Sequence, residues 1–415
     1  MRNSGFLWII TGILLVLDIY IFQVIKWVTP VSSPRLRLAI FVAYWILCIA
    51  AIVMLIAMPY LNYETWPKAV RTYVFAIIVG LFFSKLIASM FFAIDDIRRA
   101  CTWIIGKLFS NPSVPVSQSA DGITRSTFIS WLGLAMGGGL FGTLIYGFGN
   151  KYRYQLTRVD LPFKNLPSSF KGMKIVHISD IHSGSFMDKE AVLKGVDKIM
   201  NQKPDVILFT GDLVNDRAVE MKDYMDVFSR LKAPHGVYSI LGNHDYGDYV
   251  KWDSAEIKRE NLQSLKQVHE QLGWRLLMNE HVVLEKNGDK IALLGIENWS
   301  AKGNFPKYGR LKEAYAGTEN YAFKILMSHD PSHWDGEVLK EYKDIDLMLS
   351  GHTHGMQFGV EIPGFKWSPV QYMYKQWGGL YVNEKQKLYI NRGFGFIGYP
   401  GRVGILPEIT LIELS

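Results

Sequence analysis

Residues 1–150 and 151–415 of this 415-residue chain are written in different patterns. In the first part, apolar residues run almost unbroken over about 6–27, 37–58, 69–94 and 128–149. Each run has the roughly 20 residues a helix needs to cross the hydrocarbon of a bilayer, so four transmembrane helices are predicted. The first run contains one charge, Asp18; the second reaches Met58 and stops at Pro59; the third holds Lys85 and stops at Asp95-Asp96. Trp8, Trp27, Trp45, Trp66 and Trp103 stand near or between the runs, as interface aromatics do. Asp18 lies about 12 residues into its run and Lys85 about 16 into the third, so at ~1.5 Å per residue their depths differ by about 6 Å. The two runs cross in the same direction, and an ion pair is expected, with separate snorkelling as the alternative. Residues 110–127 read as a polar Pro/Ser-rich linker.

From Lys151 the pattern changes to short apolar runs that end in polar clusters. Met173–Ser179, Asp205–Thr210 and Gly236–Leu241 read as strands, with helical stretches at about 188–202 and 219–231 between them. This alternation predicts parallel βαβ units, in which functional residues collect just past the carboxyl ends of the strands. A tether through Asp160-Leu161-Pro162-Phe163 precedes the first of them. The second half is richer in strands: Trp274–Met278, His281–Glu285 and Lys290–Ile296, with Asn287-Gly288 as a strong hairpin signal. Phe323–Ser328, Asp346–Ser350, Leu388–Asn391 and Glu408–Leu414 complete the set. The expected organisation is an all-α region over 1–150 and an α/β domain over 151–415, with no internal repeat.

Composition sharpens this division. The net charge of +7 belongs almost wholly to residues 1–150, which carry +6, while the remainder carries +1. The basic balance is therefore not a nucleic-acid patch on the second domain. Both cysteines, Cys48 and Cys101, lie in the first part, which excludes a thiol nucleophile or a disulfide framework in the second. All ten histidines fall at or after His177.

Five strand ends carry the candidate chemistry: Asp180-Ile181-His182, Gly211-Asp212, Gly242-Asn243-His244-Asp245, His329 and Gly351-His352-Thr353-His354. Residues two apart on a strand share a face, so Asp180 and His182 aim an oxygen and a nitrogen ligand at one point. A hard carboxylate beside an imidazole suits Zn, Mn or Fe. Taken in order, the five clusters resemble the calcineurin-like metallophosphoesterase superfamily over about residues 171–415.

The resemblance implies a four-layer α/β/β/α sandwich and two divalent metal ions, Mn, Fe or Zn. It puts metal one on Asp180, His182, Asp212 and His354, and metal two on Asp212, Asn243, His329 and His352. Asp212 has two oxygens and can bridge two cations. Metals roughly 3.5–4 Å apart clamp the attacking and leaving oxygens of an in-line displacement, and a bridging water ionised near neutral pH is the nucleophile. Asn243 adds a neutral oxygen and leaves the site positive for an anionic phosphate. His244 is expected to stabilise the transition state or protonate the leaving oxygen, with Asp245 orienting it. His177, His235, His269, His281 and His333 match no motif position and read as packed or surface imidazoles.

Two further groups are weighed. Arg392 and Arg402 are candidates to reach a phosphate, but structural salt bridging is the favoured reading. Trp299, Trp334, Trp367, Tyr372, Tyr374 and Trp377 fall on predicted loops, as a lip for an apolar substrate, a bilayer contact or ordinary packing. The stretch from Thr124-Arg125-Ser126-Thr127-Phe128 resembles a twin-arginine export signal with one arginine replaced by Thr124. Loop charges, seven basic residues on one side against five on the other, agree in placing the second domain outside the cytoplasm.

The reading that follows is a membrane-anchored phosphoesterase whose partners are the bilayer and a phosphodiester or pyrophosphate substrate of a lipid or envelope precursor. No nucleic-acid partner is expected. A UDP-2,3-diacylglucosamine pyrophosphatase at the cytoplasmic face and a non-catalytic membrane receptor on a phosphoesterase scaffold are the alternatives.

Overall fold

The computed structural model describes residues 4–30, 32–58, 60–61, 65–109, 124–302, 305 and 307–415. The chain forms two compact units, Met1–Tyr146 and Gly147–Ser415. Pro59 and residues 110–123 of the linker lie outside the described residues.

Among the described residues, the first unit is built from four helices: α1 (Ser4–Val28), α2 (Pro34–Ala57), α3 (Lys68–Phe109) and α4 (Arg125–Gly147). All four are long and apolar enough to cross a membrane. α2 starts where its sequence dictates: the Ser33 hydroxyl accepts from the Leu36 N–H, and Pro34 takes the first helical position, where its missing N–H is not needed. Leu14, Ala51, Leu55, Ile78 and Leu81 meet inside the unit. Trp8, Ile9, Leu38, Ile46 and Trp131 are exposed on the outside. An apolar exterior of this kind is matched by hydrocarbon rather than water, and the backbone polar groups are satisfied within each helix. Asp18 and Lys85, both buried, form the expected ion pair.

The third helix does not stop at Asp95-Asp96 as its pattern predicts. It continues to Phe109. Asp95 pairs with Arg98 at 2.9 Å and Arg99 at 3.4 Å, and the Tyr20 hydroxyl donates to Asp96 at 2.6 Å. Spacings of three and four residues let these charges compensate along one helix face, so the acidic pair carries the helix onward instead of breaking it.

The second unit contains two six-stranded sheets. One has the order β1 (Gln155–Leu161), β14 (Glu408–Leu414), β2 (Lys174–Ile178), β3 (Val206–Phe209), β4 (Val237–Ser239), β5 (Arg275–Leu276). The other has the order β12 (Gly379–Asn383), β13 (Gln386–Ile390), β9 (Leu347–Ser350), β8 (Lys324–Met327), β7 (Asp289–Gly295), β6 (Glu280–Lys286). Strands β2 to β5 run parallel, as do β7, β8, β9 and β13. The β6–β7 hairpin turns at Asn287-Gly288, both at positive φ, the conformation a tight two-residue turn needs.

Alternation along the strands builds four layers. Ile175, Val206, Leu208 and Ile412 of the first sheet meet Leu293, Ile325, Met327 and Leu349 of the second. The intervening Val176, Ile178, Ile207 and Phe209 face away, onto α5 (Lys189–Met200), α6 (Met225–Phe228) and α7 (Ala255–Gln271). On the far side, Ala292, Leu294, Leu326 and Met348 pack on Leu311, Trp334 and Val338. The expected α/β/β/α sandwich is thus present. Burying each such side chain stabilises the fold by roughly 1.5–3 kcal/mol before entropy is counted.

Other assignments in the second unit also differ from the sequence pattern. The helix expected over 219–231 is a 3-10 turn, Ala218–Met221, followed by the short α6. The segment read as a tether contains β1, paired in parallel with β14. A small hairpin, β10 (Val360–Ile362) and β11 (Phe365–Trp367), stands apart from both sheets.

Candidate metal centre

The parallel strands deliver the polar clusters to one end of the sandwich. Asp180 and His182 follow β2, Asp212 follows β3, Asn243 and His244 follow β4, His329 follows β8, and His352 and His354 follow β9. Five of these residues, Asp180, His182, Asp212, His352 and His354, have φ between 49° and 70°. Non-glycine residues adopt this left-handed conformation only when their surroundings over-determine it, and such strain concentrates at functional sites. Two glycines allow the close approach. A Cβ at Gly242 would overlap Asp212 Oδ1, and one at Gly351 would overlap Ser179 Oγ and Asp180 Oδ2.

The side chains fall into two groups, Asp180/His182/His354 and Asp212/His329/His352, each with ligand atoms within 4.8 Å of one another. Asp212 stands between them: its Oδ2 is 3.6 Å from His182 Nε2 and 3.1 Å from His329 Nε2. His354 Nε2 is 3.2 Å from Asp180 Oδ1. Asn243 Oδ1 lies 3.1 Å from His329 Nε2 and 2.8 Å from His352 Nδ1. All seven residues predicted as ligands are therefore together.

The hydrogen bonds around the groups test whether a cation fits. The Asn243 amide donates to the Tyr249 hydroxyl at 2.7 Å, which turns its oxygen inward. The Tyr374 hydroxyl, 2.8 Å from His352 Nε2, donates to Asp330 Oδ2 at 3.1 Å, so Nε2 of His352 carries the proton. His352 Nδ1 and Asn243 Oδ1 are then two acceptors facing each other, an arrangement that a cation stabilises and a neutral pair does not. His329 Nδ1 donates to the Thr210 carbonyl at 2.7 Å, which leaves Nε2 for the centre. Carboxylate, amide and imidazole donors suit a divalent ion of the Mn, Fe or Zn type.

Electrostatics agree. Burial would raise the Asp180 carboxyl, but the imidazoles of His354 and His329 hold it below the usual carboxylate range. Burial also opposes ionisation of Asp212, and His329 and His244 overcome it. Burial pushes His182, His352 and His354 down, so these rings stay neutral. Burial acts on His329 in the same sense, yet the Asp212 carboxylate lifts it to about 10. Ionised carboxylates and neutral imidazoles are the ligand forms that metal binding requires, and a cation in place of the His329 proton would satisfy Asp212.

His244 sits beside these groups. Its backbone N–H donates to Asp212 Oδ1 at 2.8 Å, and its Nδ1 donates to the Asn215 carbonyl at 2.8 Å, which leaves Nε2 uncommitted. A cavity of about 250 Å3 is lined by His182, Asp212, Asn243, His244, His352 and His354, with Tyr249, Phe305 and Ile397 as its further walls.

One expected role is corrected, and for two arginines the structural reading holds over the phosphate-binding one. Asp245 does not orient His244. It is fully buried, and its carboxylate accepts from the N–H groups of Asp212 and Gly242, both at 2.9 Å, of Leu213 at 2.8 Å and of Val214 at 3.2 Å. It therefore shapes the loop that presents Asp212. Burial, together with the Asp212 charge, lifts its carboxyl to about 7 despite these donors. Arg392 pairs with Glu408 at 2.7 Å and with Glu361. Arg402 is fully buried and donates to the carbonyls of Arg392 at 2.7 Å, His354 at 3.2 Å, Gly393 and Gly395, and it reaches His354 Nδ1 at 3.2 Å. Both guanidiniums are consumed by the scaffold, and neither lines the cavity.

Two residues near the centre escaped the sequence reading of roles. Tyr374 was singled out only as one of a set of loop aromatics, and Asp330 not at all, although it directly follows His329. Four of the five histidines without a motif position are held by partners outside the two groups: His177 by Thr210, His269 by Ser239, His281 by the Ala314 carbonyl, and His333 by Ser328 and Glu337.

Comparison with known proteins gives the same picture. Residues 173–356 match the family described as Calcineurin-like phosphoesterase. Residues 1–150 match the one described as Probable Calcineurin-like phosphoesterase, transmembrane domain. The chain is 30% identical over 325 residues to a transmembrane protein with metallophosphoesterase domain from Danio rerio, covering 76% of this chain and 68% of that one. It is 28% identical over 256 residues to the uncharacterized metallophosphoesterase YkoQ of Bacillus subtilis, covering 59% and 84%. It is 28% identical over 253 residues to the phosphodiesterase YaeI of Escherichia coli, covering 61% and 84%. With the fold, the paired donor groups and the apolar helices in agreement, the chain belongs to the calcineurin-like metallophosphoesterases, in a branch anchored by transmembrane helices.

Proposed function

We propose that this protein hydrolyses a phosphodiester or pyrophosphate bond in a lipid or lipid-linked envelope precursor, with residues 1–150 as membrane anchor and 151–415 as the catalytic domain. The placement of Asp212 between two donor groups beneath an open cavity carries the reading. Asp180, His182, Asp212 and His354 would hold one divalent ion, and Asp212, Asn243, His329 and His352 the other, each of the Mn, Fe or Zn type. When bound, such a pair polarises the phosphoryl group and supplies a nucleophile from water near neutral pH. Asn243 contributes oxygen without charge, which keeps the site attractive to an anion. His244, held through Nδ1 by the Asn215 carbonyl, presents Nε2 for transfer of a proton to the departing oxygen. Tyr249 and Phe305 line the cavity beside these groups. The four apolar helices favour a substrate that resides in the same bilayer, and the loop charges favour a catalytic domain outside the cytoplasm.

The test is turnover by the Mn-loaded full-length enzyme of bis-p-nitrophenyl phosphate and of a panel of lipid and nucleotide phosphoesters. Hydrolysis of lipid phosphoesters above the nucleotide ones supports the reading; preference for soluble nucleotides removes the lipid assignment. Protease added to spheroplasts should digest the catalytic domain. Protection until lysis would place that domain in the cytoplasm.

A further inference from the structure

The β10–β11 hairpin is patterned in reverse for a soluble ribbon. Val360 lies opposite Trp367, Glu361 opposite Lys366 and Ile362 opposite Phe365. Side chains alternate, so Glu361 and Lys366 share one face and Val360, Ile362, Phe365 and Trp367 the other. The polar face is the one fastened to the unit. Glu361 pairs with Arg392, and Lys366 donates to the Gly378 carbonyl and lies over the rings of Trp377 and Tyr381. The apolar face is turned outward, with Val360, Ile362 and Phe365 exposed by 42%, 59% and 54%. Tyr372 and Met373 extend it with exposures of 78% and 57%, and the Tyr372 hydroxyl meets the Trp367 side chain. A ribbon facing water puts its apolar side chains inward, so an outward set marks a surface that meets something apolar.

The root of the hairpin identifies that partner. The chain joins the second unit at Gly147, the last residue of α4. There the Gly147 carbonyl accepts from Arg402 N–H at 3.0 Å, and the Val403 carbonyl accepts from Gly359 N–H at 2.9 Å. Phe358 and Val403 form a parallel bridge just before β10. Two neighbouring residues, Arg402 and Val403, thus tie Gly147, where the second unit begins, to the base of the exposed hairpin.

We propose that this hairpin lies in the surface of the bilayer that holds the four helices, with Val360, Ile362, Phe365 and Trp367 in the boundary between headgroups and acyl chains. Apolar faces of this kind settle ~5–10 Å into that boundary. The segment between His354 and β10 is short, and its Met356 is 48% exposed. Docking would therefore hold the His352–His354 loop close to lipid headgroups, and the phosphoester would be drawn from a lipid in the same leaflet. This last step rests on the function proposed above; the docking itself does not.

The experiment uses the full chain reconstituted in phosphatidylcholine–phosphatidylglycerol vesicles. Cys48 is buried and Cys101 exposed, so Cys101→Ser combined with Phe365→Cys gives one accessible thiol for an environment-sensitive fluorophore. Val219→Cys, at a position 67% exposed elsewhere on the unit, is the control. Doxyl-labelled phosphatidylcholine should quench the label at 365 and leave that at 219 bright. Equal quenching at the two sites overturns the docking. The double variant Ile362→Glu/Phe365→Glu should hydrolyse bis-p-nitrophenyl phosphate in detergent at the wild-type rate, which shows that it folds. Its hydrolysis of a phosphodiester lipid in vesicles should fall roughly tenfold or more, because the face no longer enters the boundary. Undiminished vesicle hydrolysis overturns the link between docking and turnover. Quenching at 365 without hydrolysis of any vesicle lipid by the wild type upholds the docking and removes the lipid-substrate reading.

Discussion

The Tyr374 hydroxyl bridges His352 and Asp330, 2.8 Å from Nε2 of the imidazole and 3.1 Å from Oδ2 of the carboxylate. The chain Asp330–Tyr374–His352 fixes which ring nitrogen of His352 is free to bind metal. Tyr374→Phe keeps the ring packed but removes the acceptor for the Nε2 proton. Loss of such a partner typically weakens metal affinity by about 10–100-fold. Calorimetric titration of the metal-free protein with Mn should show one of the two sites weakened to that extent and the other unchanged.

Asp212 Oδ2 lies 3.6 Å from His182 Nε2 in one group and 3.1 Å from His329 Nε2 in its own, and as the proposed shared ligand its replacement in Asp212→Ala should remove a donor from each ion. Bound metal measured by mass spectrometry should fall toward zero, and hydrolysis of bis-p-nitrophenyl phosphate should fall with it. A variant with wild-type turnover would dismiss the two-metal reading.

His244 makes its defined contacts through its backbone N–H and Nδ1, not through Nε2. His244→Asn should therefore retain metal while turnover falls by roughly 10²–10⁴-fold, the usual effect of removing a general acid. The loss should be smallest for substrates with good leaving groups such as p-nitrophenolate. Metal loss in this variant would make His244 a ligand.

The ligand set was legible because each member stands at a strand end, and the strands are short apolar runs that sequence marks clearly. Its supports were not. Tyr374 and Asp330 are 44 residues apart, and only the fold brings them together. Asp245 follows His244 directly, which invites a role on that ring, yet the loop turns its carboxylate onto four backbone N–H groups. For Arg402, in a Gly-Arg-Val loop, a structural role is the favoured reading, but only the fold shows that its partners are the backbone carbonyls of His354, Arg392, Gly393 and Gly395. α7 was passed over because its helix is mostly polar, with Leu265 and His269 as its fully buried residues. A signal was present there: the Ser254 hydroxyl accepts from Ile257 N–H at 3.2 Å, an N-cap written before a run of good helix formers. β1 carries Arg158 and Asp160 on an edge strand that is largely exposed, so its charge hid its pairing.

His177 and His269 are fully buried, each with one hydroxyl partner, at 2.9 Å from Thr210 and 2.9 Å from Ser239. Burial lowers their pKa values to about 4 and about 3, from 6.5 in the unfolded chain. On acidification the unfolded chain takes up the proton first. Their contribution is intact above pH 6.5 and is lost as pH falls from there through 4 toward 3. The loss is on the order of 3 kcal/mol for His177 and about 5 kcal/mol for His269. In EDTA, to remove any metal effect, thermal unfolding should shift to lower temperature between pH 7 and pH 4. His269→Gln should flatten that shift.

Asp18 and Lys85 form an ion pair inside the first unit, with Asp18 fully buried and Lys85 6% exposed. Lys85 also lies 3.4 Å from Cys48 Sγ, and the Tyr44 hydroxyl donates to the Asp18 carbonyl at 2.9 Å, so α1, α2 and α3 meet at this point. Removing one partner leaves a charge in a span at a cost of at least roughly 2.5–3.5 kcal/mol. Removing both leaves none, and an apolar pair of similar volume is commonly neutral or stabilising. Asp18→Leu and Lys85→Met should each lower the yield of folded, detergent-extracted protein and its unfolding temperature. The double variant should stand above both singles. The charge-swapped Asp18→Lys/Lys85→Asp should also recover part of the loss, since the attraction survives the exchange. If the apolar double is no better than the worse single, the two residues act independently, each held by its own surroundings instead of by the other.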